Sequence, residues 1–161
     1  MKRAIAVVGA VAMLMVAASA FAQANFSGKW APDADKNPAP AAAGAGGGGG
    51  RGGGAPAPMT ITATATTFTI ERETPNGAQK TDYKLDGTEQ TVTMGQAEAK
   101  VKASFKDGAV TISTTTDRGQ GPTTTTAVYS MEGANLVVAT TRPGRNGGEP
   151  TTAKVYYKKA M

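Results

Sequence analysis

Three arginines, Arg118, Arg142 and Arg145, stand in or beside Gly- and Pro-bearing turns, Gly119-Gln120-Gly121-Pro122 and the run from Pro143 to Pro150. Guanidinium groups on neighbouring loops suit a carboxylate or phosphate, which they engage through paired N–H bonds. They are therefore the candidate ligand-binding residues. Asp117 and Glu149 stand beside them, so the same arginines also read as ordinary solvated loop charges. Other chemistry is limited by what the chain lacks. With no His and no Cys, the usual zinc and copper ligand sets and every Ser-His or Cys-His nucleophile pair are excluded. No metal site and no cofactor is expected. Glu71, Asp82 and Glu98 fall on stretches that read as strands, but no two stand out as an acid–base pair. No catalytic residue is assigned, and the chain reads as a non-enzyme.

The elements that position these groups are all β. From Met59 to Met161 Thr, Val, Tyr, Phe and Ile dominate, with the two-residue alternation of half-buried strands, as in Phe68-Thr69-Ile70 and Val110-Thr111-Ile112. Strands are predicted over 59–64, 67–74, 79–85, 89–94, 97–106, 109–117, 123–131, 135–141 and 151–159. Alternate positions give an inner face of Ile61, Phe68, Ile70, Tyr83, Leu85, Val92, Met94, Val101, Phe105, Val110, Ile112, Tyr129, Met131, Leu136, Val138, Val155 and Tyr157. Of these, Phe68, Tyr83, Phe105, Tyr129 and Tyr157 are the candidates for lining a cavity or filling a core. Tyr on a strand is usually half-buried structure with a polar end that seeks a partner.

The turns sort into two kinds. Asp86-Gly87, Asp107-Gly108 and Glu132-Gly133-Ala134-Asn135 are tight, and Asp-Gly favours the primed turns that match strand twist. Between them come looser connections at Pro75-Asn76-Gly77, Gly95-Gln96, Gly119 to Pro122 and Pro143 to Pro150. In an up-and-down meander that alternation puts every tight turn at one end and every loose turn at the other. The expected fold is all-β, an antiparallel meander of about eight to ten strands forming a barrel with a closed base and an open mouth. Arg118, Arg142 and Arg145 then belong to the mouth. Whether the barrel is filled or hollow stays open.

The N-terminal third organises differently. Lys2 and Arg3 precede the apolar run Ala4 to Val16 and the small-residue series Ala17 to Ala22. That is the layout of a secretory signal peptide over residues 1–22, cut after Ala22, and it predicts a periplasmic or secreted protein with no membrane span once the signal is gone. A chain without Cys carries neither disulfides nor a lipidated cysteine. Loss of residues 1–22 removes Lys2 and Arg3 and no acid, so the net charge of +5 becomes +3. Residues 23–36 form a first β segment. Residues 37–58 are a Gly/Ala/Pro-rich flexible linker or loop whose only charge is Arg51, too poor in apolar groups to offset the entropy of ordering it. One arginine among glycines does not make a nucleic-acid-binding segment.

Phe26-Ser27-Gly28-Lys29-Trp30, directly after the signal and ahead of the meander, resembles the Gly-x-Trp start of lipocalin-like (calycin) barrels. It is also similar to small exported bacterial proteins that begin Phe-Ser-Gly-x-Trp and continue as Thr-rich hairpins. The resemblance implies that Gly28 and Trp30 are structural. Trp30 would close the barrel base against a basic residue from a late strand, for which Lys158 and Lys159 are the candidates. It also implies a non-enzymatic protein that binds a small apolar or amphipathic ligand inside the barrel. The arginines add an anionic group to that ligand. The alternative is an envelope or secreted interaction module that meets a partner protein through its Gly-rich loops.

Overall fold

A computed structural model describes residues 25–37, 56–74, 77–94, 97–117, 119, 121–144 and 148–160. Residues 1–22 and most of the Gly-rich stretch lie outside these residues. The strands are β1 (Gly28–Pro32), β2 (Met59–Ala63), β3 (Thr67–Thr74), β4 (Gly77–Lys84), β5 (Asp86–Met94), β6 (Ala97–Lys106), β7 (Ala109–Asp117), β8 (Pro122–Glu132), β9 (Asn135–Arg142) and β10 (Thr151–Lys159). Together they make one ten-stranded sheet in the order β4-β3-β2-β1-β10-β9-β8-β7-β6-β5, with every observed ladder antiparallel. The short β1 joins first to last, pairing with both β2 and β10. The result is an up-and-down, lipocalin-like barrel, closed except at one seam.

Register follows the alternation of the sequence. Opposed residues such as Phe68 and Tyr83, Val110 and Tyr129, and Tyr129 and Val138 keep apolar side chains on one face across successive strands. A slip of one residue would expose the whole row. The outer face is held by cross-strand hydroxyl pairs, Ser113 with Thr126 at 3.2 Å and Thr115 with Thr124 and Thr141 with Thr152 at 2.8 Å. Every predicted inner position belongs to the core or packs against it.

The connections at Ala63–Thr67, Leu85, Asp107-Gly108 and Gly133-Ala134 share one end with the start of β1 and the end of β10, while Thr74, Gly77, Met94, Ala97, Asp117, Pro122, Arg142 and Thr151 share the other. Asp107 and Gly108 both have positive φ, 52° and 77°, the two-residue conformation that suits a tight hairpin.

Asp86-Gly87 departs from expectation. The chain reverses there, but β4 and β5 form no ladder, although they lie side by side. The Asp86 carboxylate accepts bonds from the Thr88 amide at 2.9 Å and its hydroxyl at 2.6 Å. This local Asx-type turn competes with hairpin closure. A register shift between Asp86 and Glu89 then commits β5 to β6 alone. The Leu85 amide bonds instead to the Thr66 carbonyl at 2.8 Å.

Candidate functional site

The five residues that open the barrel each have an identifiable task at its base. Phe26 is buried and meets Phe68 edge-on with ring centroids 5.9 Å apart. The Ser27 hydroxyl accepts the Ala63 amide at 2.9 Å, which ties the segment to the end of β2. Trp30 is buried and donates its indole N–H to the Phe26 carbonyl at 2.8 Å. The Lys159 ammonium sits 5.7 Å from the centre of the Trp30 ring, a cation–π distance. Gly28, opposite Ile61, has φ +137°, and a Cβ there would come within 2.8 Å of Lys159 Cε. Of the two lysines the resemblance pointed to, it is Lys159 that covers Trp30.

Above this base the interior is bridged by rings. β3 and β8 lie five places apart in the sheet order and face each other across the barrel. Phe68 on β3 reaches Tyr129 on β8 with centroids 5.3 Å apart and planes at 61°. Burial of such rings stabilises the fold by about 1.5–3 kcal/mol each. At that level the barrel is filled.

One layer nearer the mouth the character changes. The inner row of β3 runs Phe68, Ile70, Arg72, opposed on β4 by Tyr83, Thr81 and Gln79. Arg72 is exposed at the open end, yet its guanidinium crosses the barrel to donate to the Tyr129 hydroxyl at 3.4 Å, passing Met59 Sδ at 3.9 Å. Ile70, Arg72, Gln79, Thr81, Tyr83 and Met94 line an open cleft of about 270 Å³ on this inner surface. That is just under the usual size of a small-molecule pocket, about 300–1,000 Å³.

Three phenols share the field of Arg72. Burial pushes the Tyr83 hydroxyl up to about 12, with Tyr129 adding to the rise and Arg72 opposing it. Tyr129 and Tyr157 are likewise raised by burial and pulled back by Arg72. The hydroxyls thus stay protonated at neutral pH beside a permanent cation. Of the three, Tyr83 lines the cleft, which sets the apolar Ile70 and Met94 beside Arg72, Gln79 and Thr81.

The expected residues are distributed unevenly around it. Phe68, Tyr83, Tyr129 and Tyr157 are buried in the core, with Tyr83 on the cleft wall. Phe105 is only partly buried and sits two residues before the Asp107-Gly108 turn, at the base. Arg142 ends β9 at the mouth, opposite Thr151. Arg118 and Arg145 lie outside the described residues. Arg72 was absent from the expected set, although one further step along the Phe68–Ile70 alternation reaches it. A larger hollow, about 540 Å³, lies among Glu89, Thr91, Glu98, Lys100 and Thr115. Those side chains have outer-face parity, and Glu89 already pairs with Lys100 at 3.2 Å and Lys102 at 3.8 Å.

These features define a lipocalin-like barrel with a filled base and an open cleft. Among solved structures it is similar to a mutant of the fluorescent protein UnaG, at 18% identity and TM-score 0.50, covering 65% of this chain and 71% of that one. Zebrafish ileal bile acid-binding protein complexed with cholic acid aligns at 20% identity and TM-score 0.49, over 64% and 72% of the two chains. The fatty-acid-binding protein of Manduca sexta aligns at 22% and 0.48, over 63% and 71%. At 18% identity the likeness to the UnaG mutant is one of fold. No protein-family model and no curated protein sequence matches the chain.

Proposed function

We propose that this chain is an exported, non-enzymatic binding protein that holds the anionic end of a small amphipathic molecule in the mouth cleft. Arg72 supplies the counter-charge and Gln79, Thr81 and Tyr83 supply neutral donors, while Ile70 and Met94 offer apolar contact. The observation that carries this reading is the Arg72–Tyr129 bridge: a guanidinium held over the filled core, facing an open cleft. Export rests on residues 1–22. Calorimetric titration with decanoate tests the proposal. The native chain is expected to bind saturably, and Arg72→Met to weaken binding about tenfold or more, equivalent to about 1.4 kcal/mol. Absence of decanoate binding, or equal binding by Arg72→Met, would count against it.

A further inference from the structure

The inner row of β4 carries three polar groups in succession. Gln79, Thr81 and Tyr83 follow one another there, about 6.6–6.8 Å apart along the strand. All three line the cleft, together with Ile70 and Met94. Their hydrogen-bonding states differ. The Thr81 hydroxyl already engages the Tyr83 phenol. Gln79 is half-buried, and its side chain bonds none of the described residues.

Gln79 stands directly opposite Arg72 in the β3–β4 ladder, which sets the two Cβ atoms about 5 Å apart. An anion held at Arg72 therefore lies within reach of the Gln79 amide. The two ends of that amide need different partners. Its N–H groups suit the anion, but its carbonyl oxygen needs a donor, and neither a carboxylate nor an alkyl chain has one. Arg72 already donates to the Tyr129 hydroxyl and Met59 Sδ, and its remaining donors go to the anion. A plain alkyl acid seated in the cleft would strip water from the Gln79 carbonyl and leave it unpaired.

Resting on the binding reading above, we propose that Gln79 sets the ligand class of the cleft: a medium-chain acid with a hydroxyl group close to its anionic end. The hydroxyl donates to the Gln79 carbonyl while the acid engages Arg72, and Ile70 and Met94 take the chain. A cleft of about 270 Å³ is large enough for such a molecule entire. A hydroxyl at the far end of the same chain does not reach Gln79.

Calorimetric titration with decanoate, 3-hydroxydecanoate and 10-hydroxydecanoate, on the native chain and on Gln79→Leu and the shape-preserving Gln79→Met, tests this. The two hydroxy acids are isomers, so mass and charge are matched and only the place of the hydroxyl differs. Thermal unfolding of each variant verifies that it is folded. The native chain is expected to bind 3-hydroxydecanoate about tenfold tighter than either other acid, because only that ligand satisfies the amide carbonyl. In both variants the preference should fall to about twofold or less, with decanoate bound at least as well as by the native chain. Equal binding of the two isomers by the native chain, or a preference that survives in both variants, overturns the role of Gln79 while leaving the Arg72 site standing. Failure of all three acids to bind any form overturns the binding reading itself, and the selection with it.

Discussion

The two ends of this barrel are built from opposite materials. At the base, tight turns bring strands together over Phe26, Trp30 and Phe68, and Lys159 covers the Trp30 ring. At the mouth the strands are joined through Gly- and Pro-bearing segments of the sequence. There Arg72 is exposed on the inner row, faces an open cleft and keeps donors to spare beyond Met59 and Tyr129. On the proposed binding reading, the contrast separates stability from recognition along a single axis. Tyr129 belongs to both: its ring packs on Phe68 below, and its hydroxyl accepts Arg72 above.

The comparison breaks most visibly if the base is hollowed. Phe68→Ala removes a ring with no measurable exposure and its contacts to Phe26 and Tyr129. It is expected to cost about 3–5 kcal/mol in urea unfolding. At the mouth, Arg72→Met should do the reverse, lowering decanoate affinity about tenfold while shifting stability by less than about 1 kcal/mol. A variant that loses both in equal measure would show that the two ends are not separable.

Smaller effects sharpen the picture. Gly28→Ala imposes φ +137° on a residue with a side chain and pushes Lys159 away from Trp30. The lysine tip can yield but the backbone strain remains, so a loss of about 1–3 kcal/mol is expected, with decanoate affinity unchanged. The smallest effect is in pH. Tyr83 is raised from 10.0 to about 12 in the folded chain, and Tyr129 and Tyr157 are raised too. A raised folded value means stability fully present below the unfolded value of about 10 and lost progressively above it. Unfolding followed from pH 6 to 9 should therefore show no tyrosine-linked change with pH, and a decline should begin above about pH 10.

Much of the fold was legible because strand alternation and turn chemistry are local. Val110-Thr111-Ile112 displays its inner face in three letters, and Asp107-Gly108 is a turn wherever the flanking strands permit it. The site was less legible. Arg72 continues the inner row of Phe68 and Ile70, but charge on a strand reads as solvent-facing unless the depth of the barrel at that residue is known. That depth is set by strand stagger, which is not written in any one segment. The seam was hidden for a related reason. Asp86-Gly87 has the letters of a hairpin, and the carboxylate bonds to Thr88 decide otherwise. At the opening segment, Trp30 on β1 stands opposite Lys159 of the last strand, whose ammonium lies over its ring.

The central claim, that the mouth binds and the base only supports, is most directly tested by following backbone amide shifts in ¹⁵N-labelled protein titrated with decanoate. Shifts concentrated at Ile70, Arg72, Thr81 and Met94, with Trp30, Phe105 and Gly133 unmoved, are the predicted result. Perturbations centred on the base, or no perturbation at saturating ligand, would contradict it.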